Sequence, residues 1–142
     1  RVNPEILALM KEAKRRDLGV AEIPPSQDPQ VPEVPDAEVL ELLGEKERAD
    51  LLLRRHNSQK RCRELQSERP TFELKLRVAE DFLDAPKLFF PHNVDFRGRA
   101  YPIPPHLNHI GDDICRGLLM FAEPKPLGKE GMFWLKVNLA NP

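Results

Sequence analysis

The stretch from Asp36 to Ser67, DAEVLELLGEKERADLLLRRHNSQKRCRELQS, decides how the first half of the chain is built. Asp36 is a helix-capping residue, and Val39, Leu42, Leu43, Ala49 and Leu53 follow it as an apolar stripe at helical spacing, so one long helix is expected to run through the basic segment towards Ser67. Pro70 then marks either a kink or a fresh helix start, after which Phe72, Leu76, Ala79 and Leu83 repeat at the same spacing. Upstream, Asn3 caps a first helix with Pro4 at its first position. Ile6, Leu9, Met10 and Ala13 share one face of that helix, and Gly19 is expected to end it. Between the helices, Pro24 to Pro35 holds five prolines in twelve residues, a composition that forbids a helix and reads as an extended connector with no binding role. Two long helices flanking an acidic, proline-rich tip predict a projecting arm.

Composition changes after Pro86. Leu88-Phe89-Phe90 is a short apolar run closed by Pro91, and Val94 to Tyr101 is expected to be extended, giving short strands and turns. Asp112 or Asp113 caps a helix bearing Ile114, Leu118, Phe121 and Ala122. A turn at Pro124 to Gly128 then precedes a last helix with Met132, Leu135, Val137 and Leu139. The predicted class is mainly α with short β-strands. There is no internal repeat and no Gly-rich phosphate loop.

With 40% hydrophobic and 32% charged residues, and no apolar run near the ~18 residues of a membrane span, the 142-residue chain reads as non-membrane. Cys62 and Cys115 lie far apart, which favours reduced structural thiols. Arg1 in place of an initiator Met, and an apolar helical pattern still running at Asn141-Pro142, are expected of an internal segment. The net charge of -1 conceals a sorted distribution. Asp17 to Glu45 holds eight acidic residues and no basic one, whereas Lys46 to Arg77 holds ten basic residues against five acidic. A basic helix face suits a polyanion such as nucleic acid, and a solvated face explains the same charges.

The segment Pro91-His-Asn-Val-Asp95-Phe-Arg97-Gly98-Arg99-Ala-Tyr101-Pro102 carries the most chemistry. If it is extended, Arg97 and Arg99 leave from one face, and guanidinium groups grip phosphate in a bidentate manner. Gly98 permits a turn at positive φ or close approach of a bulky ligand. Asp95 is placed to orient an arginine, and Tyr101 offers a ring for stacking. The plainer alternative is a surface turn with an Asp-Arg ion pair. His106, His109, Asp112 and Cys115 include the ligand types of a zinc site, but without paired Cys/His knuckles, and packing or hydrogen bonding within a loop accounts for them as well.

Taken together, the run from Phe90 to Asn141 resembles the start of the palm in single-subunit RNA polymerases of phages, mitochondria and plastids. The resemblance rests on Asp95-Phe-Arg-Gly-Arg-Ala-Tyr101, Pro105-His-Leu-Asn-His109, Asp112-Asp113-Ile-Cys-Arg116-Gly-Leu-Leu119, Phe121-Ala-Glu123, Lys125-Pro-Leu-Gly-Lys-Glu-Gly131 and Trp134-Leu-Lys136. Arg1-Val-Asn-Pro4 and Glu73 to Ala79 match the family's thumb helices more loosely. Pro124 departs from the glycine usual there, which removes a backbone donor.

This resemblance implies part of a right-hand polymerase fold. Residues 1–86 form a thumb-like helical arm, with an acidic proline-rich connector at 19–35, and residues 87–142 form the start of the palm. It implies that Asp95, Arg97, Gly98, Arg99 and Tyr101 contact the template and the RNA–DNA hybrid, with Arg116 facing the same hybrid and the arginines acting as phosphate clamps that read no bases. Implied partners are the DNA template, the RNA transcript and ribonucleoside triphosphates. No residue here is catalytic or binds metal, because the aspartates that hold Mg2+ in the parent enzyme lie further along the family's chain. The Phe96 form of the motif favours a mitochondrial polymerase, with a plastid one as the alternative. A non-enzymatic helical nucleic-acid-binding module, or an inactive remnant, is the competing reading.

Overall fold

The computed structural model describes residues 1–141, which form five helices and one two-stranded sheet. Helix α1 spans Pro4–Arg15, α2 Ala37–Leu42, α3 Glu45–Asp81, α4 Asp113–Leu118 and α5 Gly131–Ala140; strands β1 (His92–Val94) and β2 (Ala100–Pro102) pair antiparallel. The mainly helical class with short strands is borne out.

Asn3 caps α1 as its sequence predicts, its side-chain oxygen accepting from the Ile6 N–H at 3.3 Å, with Pro4 behind it where the missing N–H costs nothing. The helix ends earlier than Gly19. Asp17 takes the left-handed conformation, φ 52°, while its N–H bonds to the Lys14 carbonyl (2.9 Å) and the Leu18 N–H to the Ala13 carbonyl (3.1 Å). That is the double hydrogen bond of a Schellman cap, with aspartate where glycine is usual. The Asp17 carboxylate is free to do more. It accepts from the Ser26 N–H at 2.7 Å and the Ser26 hydroxyl at 2.6 Å, pinning the proline-rich segment to the end of α1.

The helix expected from Asp36 to Ser67 is divided at Leu43 and Gly44, both extended, and α3 starts afresh at Glu45. Leu42 is 86% exposed, so the stripe from Val39 to Leu53 is not a core face. At Pro70 the helix neither stops nor restarts; α3 continues for 37 residues, about 55 Å at 1.5 Å per residue. Its covered positions instead follow Leu51, Arg55, Ser58, Cys62, Leu65, Arg69, Phe72, Leu76 and Ala79, alternately four and three residues apart, with Glu64, Lys75 and Val78 covered beside that line. They form a single seam down the helix.

The lower end of that seam enters the core. Phe72, Leu76 and Ala79 pack with Val2, Leu7, Ala13 and Ile23 from the N-terminal side and Leu107, Ile114, Cys115 and Leu118 from beyond Pro86. Lys75, 9% exposed, reaches the Asp112 carboxylate and ties α3 to α4, while Lys11 and Lys14 of α1 pair with Glu80 and Glu73 of α3. The upper seam is covered by the connector. Arg69 donates from Nε to the Pro25 carbonyl (2.7 Å) and pairs with Asp28 (2.8 Å); the Cys62 thiol meets the Pro29 carbonyl (3.7 Å), and Arg55 donates to the Pro32 carbonyl (2.7 Å). The expected free spacer is therefore a strap lying antiparallel along α3.

Asp112 caps α4 through the Cys115 N–H at 3.0 Å. The helix is shorter than its apolar pattern suggests: the chain turns extended at Leu119 to form an antiparallel bridge with Val2, the Asn3 N–H bonding to the Leu118 carbonyl and the Met120 N–H to that of Arg1. Phe121 is left outside, 91% exposed. Helix α5 forms where its sequence places it, but Met132, Phe133, Trp134, Leu135 and Leu139 are all exposed. No helix among the described residues is long and apolar enough to cross a membrane.

Seam burial makes a contrast within one helix. Phe72→Ala is expected to lower unfolding free energy by about 3–5 kcal/mol, and Leu53→Ala, at an exposed α3 position, by less than about 0.5 kcal/mol; urea unfolding followed by circular dichroism measures both.

A candidate nucleic-acid interface on the hairpin

Of the two forms the sequence left open for Asp95 to Arg99, extended backbone or a turn, the structure has the turn, and it joins β1 to β2. The Asp95 N–H bonds to the Arg99 carbonyl at 2.9 Å and the Gly98 N–H to the Asp95 carbonyl at 3.0 Å, with Gly98 at φ 76°. This is the three-residue hairpin loop in which a type I turn is followed by a left-handed glycine. Asp95 holds it from inside, its Oδ1 accepting from the N–H groups of Arg97 (2.8 Å) and Arg99 (3.0 Å).

The turn separates the two arginines. Arg97 sits in the loop, pairs with Asp95 Oδ2 at 3.3 Å and lies over the Phe96 ring with its guanidinium carbon 5.3 Å from the centroid. The Asp-Arg pair of the plainer reading is thus present for Arg97. Arg99, beside the first residue of β2, has an exposed side chain and makes no ion pair among the described residues. By strand alternation Arg99 and Tyr101 share a face, with Asn93 opposite Tyr101 in the register. Phe96, which sequence reasoning did not place among the contact residues, is 95% exposed at the tip. The hairpin therefore presents two guanidinium groups and two accessible rings, an arrangement suited to phosphates and to stacking on bases or sugars.

The other hairpin face is anchored. The His92 ring packs at a tilt against His109 with centroids 5.2 Å apart, and His109 likewise against Phe90 at 5.5 Å, while the Ile103 N–H to Pro91 carbonyl bond (2.9 Å) extends the hairpin's own ladder. Beside this stack lies a cleft of about 550 Å³ lined by Leu88, Phe90, His109, Arg116, Leu119 and Phe121 among others. Arg116 thus borders the stack that anchors the hairpin, but its hydrogen bond goes to Asp113 on its own helix and not to the loop. The Asp113 carboxylate raises the Arg116 pKa above its ordinary value, keeping it charged.

The residues with zinc-ligand chemistry have other partners: Asp112 pairs with Lys75 and caps α4 at the Cys115 N–H, the Cys115 thiol donates to the His106 carbonyl (3.3 Å), and the His109 ring packs against Phe90. Among the described residues no three His, Cys, Asp or Glu side chains converge as a metal site. Burial pushes the Cys115 thiol pKa up, and the neighbouring Asp112 adds to it.

Over 141 residues, 99% of its length, the chain is 44% identical to DNA-directed RNA polymerase 2B, chloroplastic/mitochondrial, of Nicotiana tabacum, and 42% identical to DNA-directed RNA polymerase 2, chloroplastic/mitochondrial, of Arabidopsis thaliana. It is 39% identical over 142 residues to DNA-directed RNA polymerase 1, mitochondrial, of Arabidopsis thaliana. The chain is thus similar, along nearly all of its length, to part of organellar DNA-directed RNA polymerases. It spans 13% of the length of the first of these polymerases and 14% of the other two. No protein-family model matches it.

Two outcomes follow from the geometry. A Cβ at Gly98 meets nothing within 4 Å, so Gly98→Ala costs only backbone strain, about 1–2 kcal/mol. Gly98→Asn costs less, and the Arg99 amide should exchange with deuterium faster in the alanine variant than in the asparagine one. The second concerns Asp112, whose carboxyl burial pushes up but which Lys75 and the Cys115 N–H hold, on balance, below its ordinary value. A depressed folded pKa gives stability that is complete above about pH 4, the unfolded value, and is lost as pH falls through the folded one. Urea midpoints at pH 6 and pH 3 should therefore differ less in Asp112→Asn than in the unaltered protein.

Proposed function

We propose that this chain is a segment of a DNA-directed RNA polymerase that transcribes an organellar genome, mitochondrial or, as the alternative, plastid. In this reading residues 1–86 are the thumb-side arm and residues 87–142 the start of the palm of a right-hand polymerase. The segment binds and positions the DNA template and the RNA–DNA hybrid while ribonucleoside triphosphates are joined elsewhere in the protein. Its similarity along 99% of its length to polymerases with mitochondrial and chloroplastic names favours this over a free-standing binding module.

The observation that carries the role is the hairpin tip, where Asp95 and Gly98 build a rigid turn whose outward groups are Arg97, Arg99, Phe96 and Tyr101. A backbone-ordered turn presents its guanidinium groups at fixed spacing, so phosphate contacts cost less ordering than those of free arginines. Arg99, with no acid to compete, contributes most; Arg97 is held by Asp95 and stacked on Phe96, ready to rotate towards a phosphate. Arg116 supplies positive charge from α4 near the anchored side. These contacts position the hybrid without reading bases.

Nucleotidyl transfer by polymerases uses Mg2+ to stabilise the attacking and leaving oxygens. The described residues do not offer a site for it, since Asp112 and Asp113 are committed to the α4 cap, Lys75 and Arg116. No chemical step is assigned to this segment.

In the full-length polymerase, Arg99→Ala is expected to shorten the lifetime of a stalled elongation complex by about tenfold and to reduce the salt dependence of hybrid binding by about one phosphate contact. Unchanged processivity and salt slope would remove the role given to the hairpin.

A further inference from the structure

Helix α3 is weakest partway along its length. Pro70 has no N–H, so the Gln66 carbonyl loses its helical donor and the ring crowds the turn before it. On either side of it, the Ser67 hydroxyl donates to the Glu64 carbonyl and the Thr71 hydroxyl to the Ser67 carbonyl, both at 2.8 Å. Such back-bonds compete with the helix ladder and favour bending. Between Glu64 and Thr71, two consecutive turns carry all three weaknesses.

The supports on the two sides of these turns differ. Below them Phe72, Leu76 and Ala79 are locked into the core. Leu65, within the turns themselves, is buried, and from the turns upward the described hydrogen bonds of α3 to other parts of the chain, from Arg69, Cys62 and Arg55, all go to the strap. The strap itself is rooted in the base through buried Ile23 and through Ser26 on Asp17. From there it passes the weak turns at Arg69 and continues up to Cys62 and Arg55, so it bridges the weak point from one side to the other. The Arg61–Glu68 pair (2.7 Å) also spans these turns, but it is exposed and screened by solvent. Proline restricts the strap's own backbone, which makes it a stiff tie. Its hold on Arg69 is incomplete, because the second terminal nitrogen of that guanidinium is buried without a partner. The brace's polar ties to the helix are few, and the one at Arg69 leaves a buried nitrogen unpaired, so these ties are its releasable part.

We propose that α3 pivots at Ser67–Thr71 and that the proline-rich strap is the brace that sets its angle, the upper arm swinging only when Arg55 and Arg69 release the strap carbonyls. The inference stands on the helix and strap alone, and its readout needs no nucleic acid, so it fails or survives independently of the hairpin's role.

The test uses the full-length protein that carries this segment, numbered as here. Nitroxides on genetically encoded keto side chains at exposed Glu5 and Asn57 leave the native cysteines untouched, and pulsed electron spin resonance reads the distance distribution between α1 and the upper arm. The unaltered protein should give a narrow distribution. Arg55→Ala with Arg69→Ala should at least double its width, as should Pro29→Gly with Pro32→Gly, which softens the strap and leaves α3 unchanged. Adding Pro70→Ala and Thr71→Ala to either background should restore the narrow distribution by repairing the helix. A width unmoved by both strap variants overturns the brace. A broadened distribution that the helix repair does not narrow overturns the pivot.

Discussion

The seam on α3 is the constraint from which the rest of the structure follows. Its positions recur every three or four residues from Leu51 to Ala79, but their chemistry changes along the way. The lower part is apolar and collects α1, α4 and the loop residue Leu107 into the core. In the upper part Arg55, Cys62 and Arg69 replace aliphatic residues, and an apolar partner would leave their donors unsatisfied. An extended proline-rich chain answers that need, since its carbonyls have no internal hydrogen-bond partners. The pitches also agree. The seven steps of strap from Pro25 to Pro32 cover at most about 22 Å at ~3.1 Å each, and the fourteen helical steps from Arg55 to Arg69 cover about 21 Å at ~1.5 Å each. Donors two heptads apart thus meet carbonyls seven residues apart.

On the hairpin, the same residues serve structure and chemistry at once. Asp95 folds the turn with one carboxylate oxygen and restrains Arg97 with the other. The ion pair seen at Arg97 and the phosphate contact proposed for it would use the same guanidinium, whereas the backbone bonds that build the loop go to the other carboxylate oxygen of Asp95. Arg99 differs because the turn uses its backbone and leaves its side chain free.

Much of this was legible in the sequence. Asn3-Pro4, Asp112 and the apolar pattern of Met132 to Leu139 each placed an element correctly, because capping chemistry is local. What was misread depended on distant partners. Val39, Leu42 and Leu53 have helical spacing but no neighbour to bury them, whereas Arg55, Ser58 and Cys62 are covered although no hydropathy pattern marks them. The strap lay hidden for the same reason: the prolines announced an extended chain, and the arginines that hold it lie more than twenty residues away. Heptad spacing counted without regard to polarity would have found the seam. In the hairpin, Asp-x-x-Gly is itself a turn signature, and it favours the turn over the extended form in which Arg97 and Arg99 would leave from one face.

The bridge between Val2 and Leu119 bears on the order in which the chain acquires its structure. Core residues from α1 have their α4 partners more than a hundred positions later, so closing that loop carries a large entropic cost before any burial rewards it. During synthesis, α3 and its strap are complete while Val2 and Leu7 still lack Leu118. The contacts of the strap with the helix span at most 44 residues, so none of them needs a residue made after α3. Topology makes this segment a late closer, whose core becomes whole only once α4 has left the ribosome.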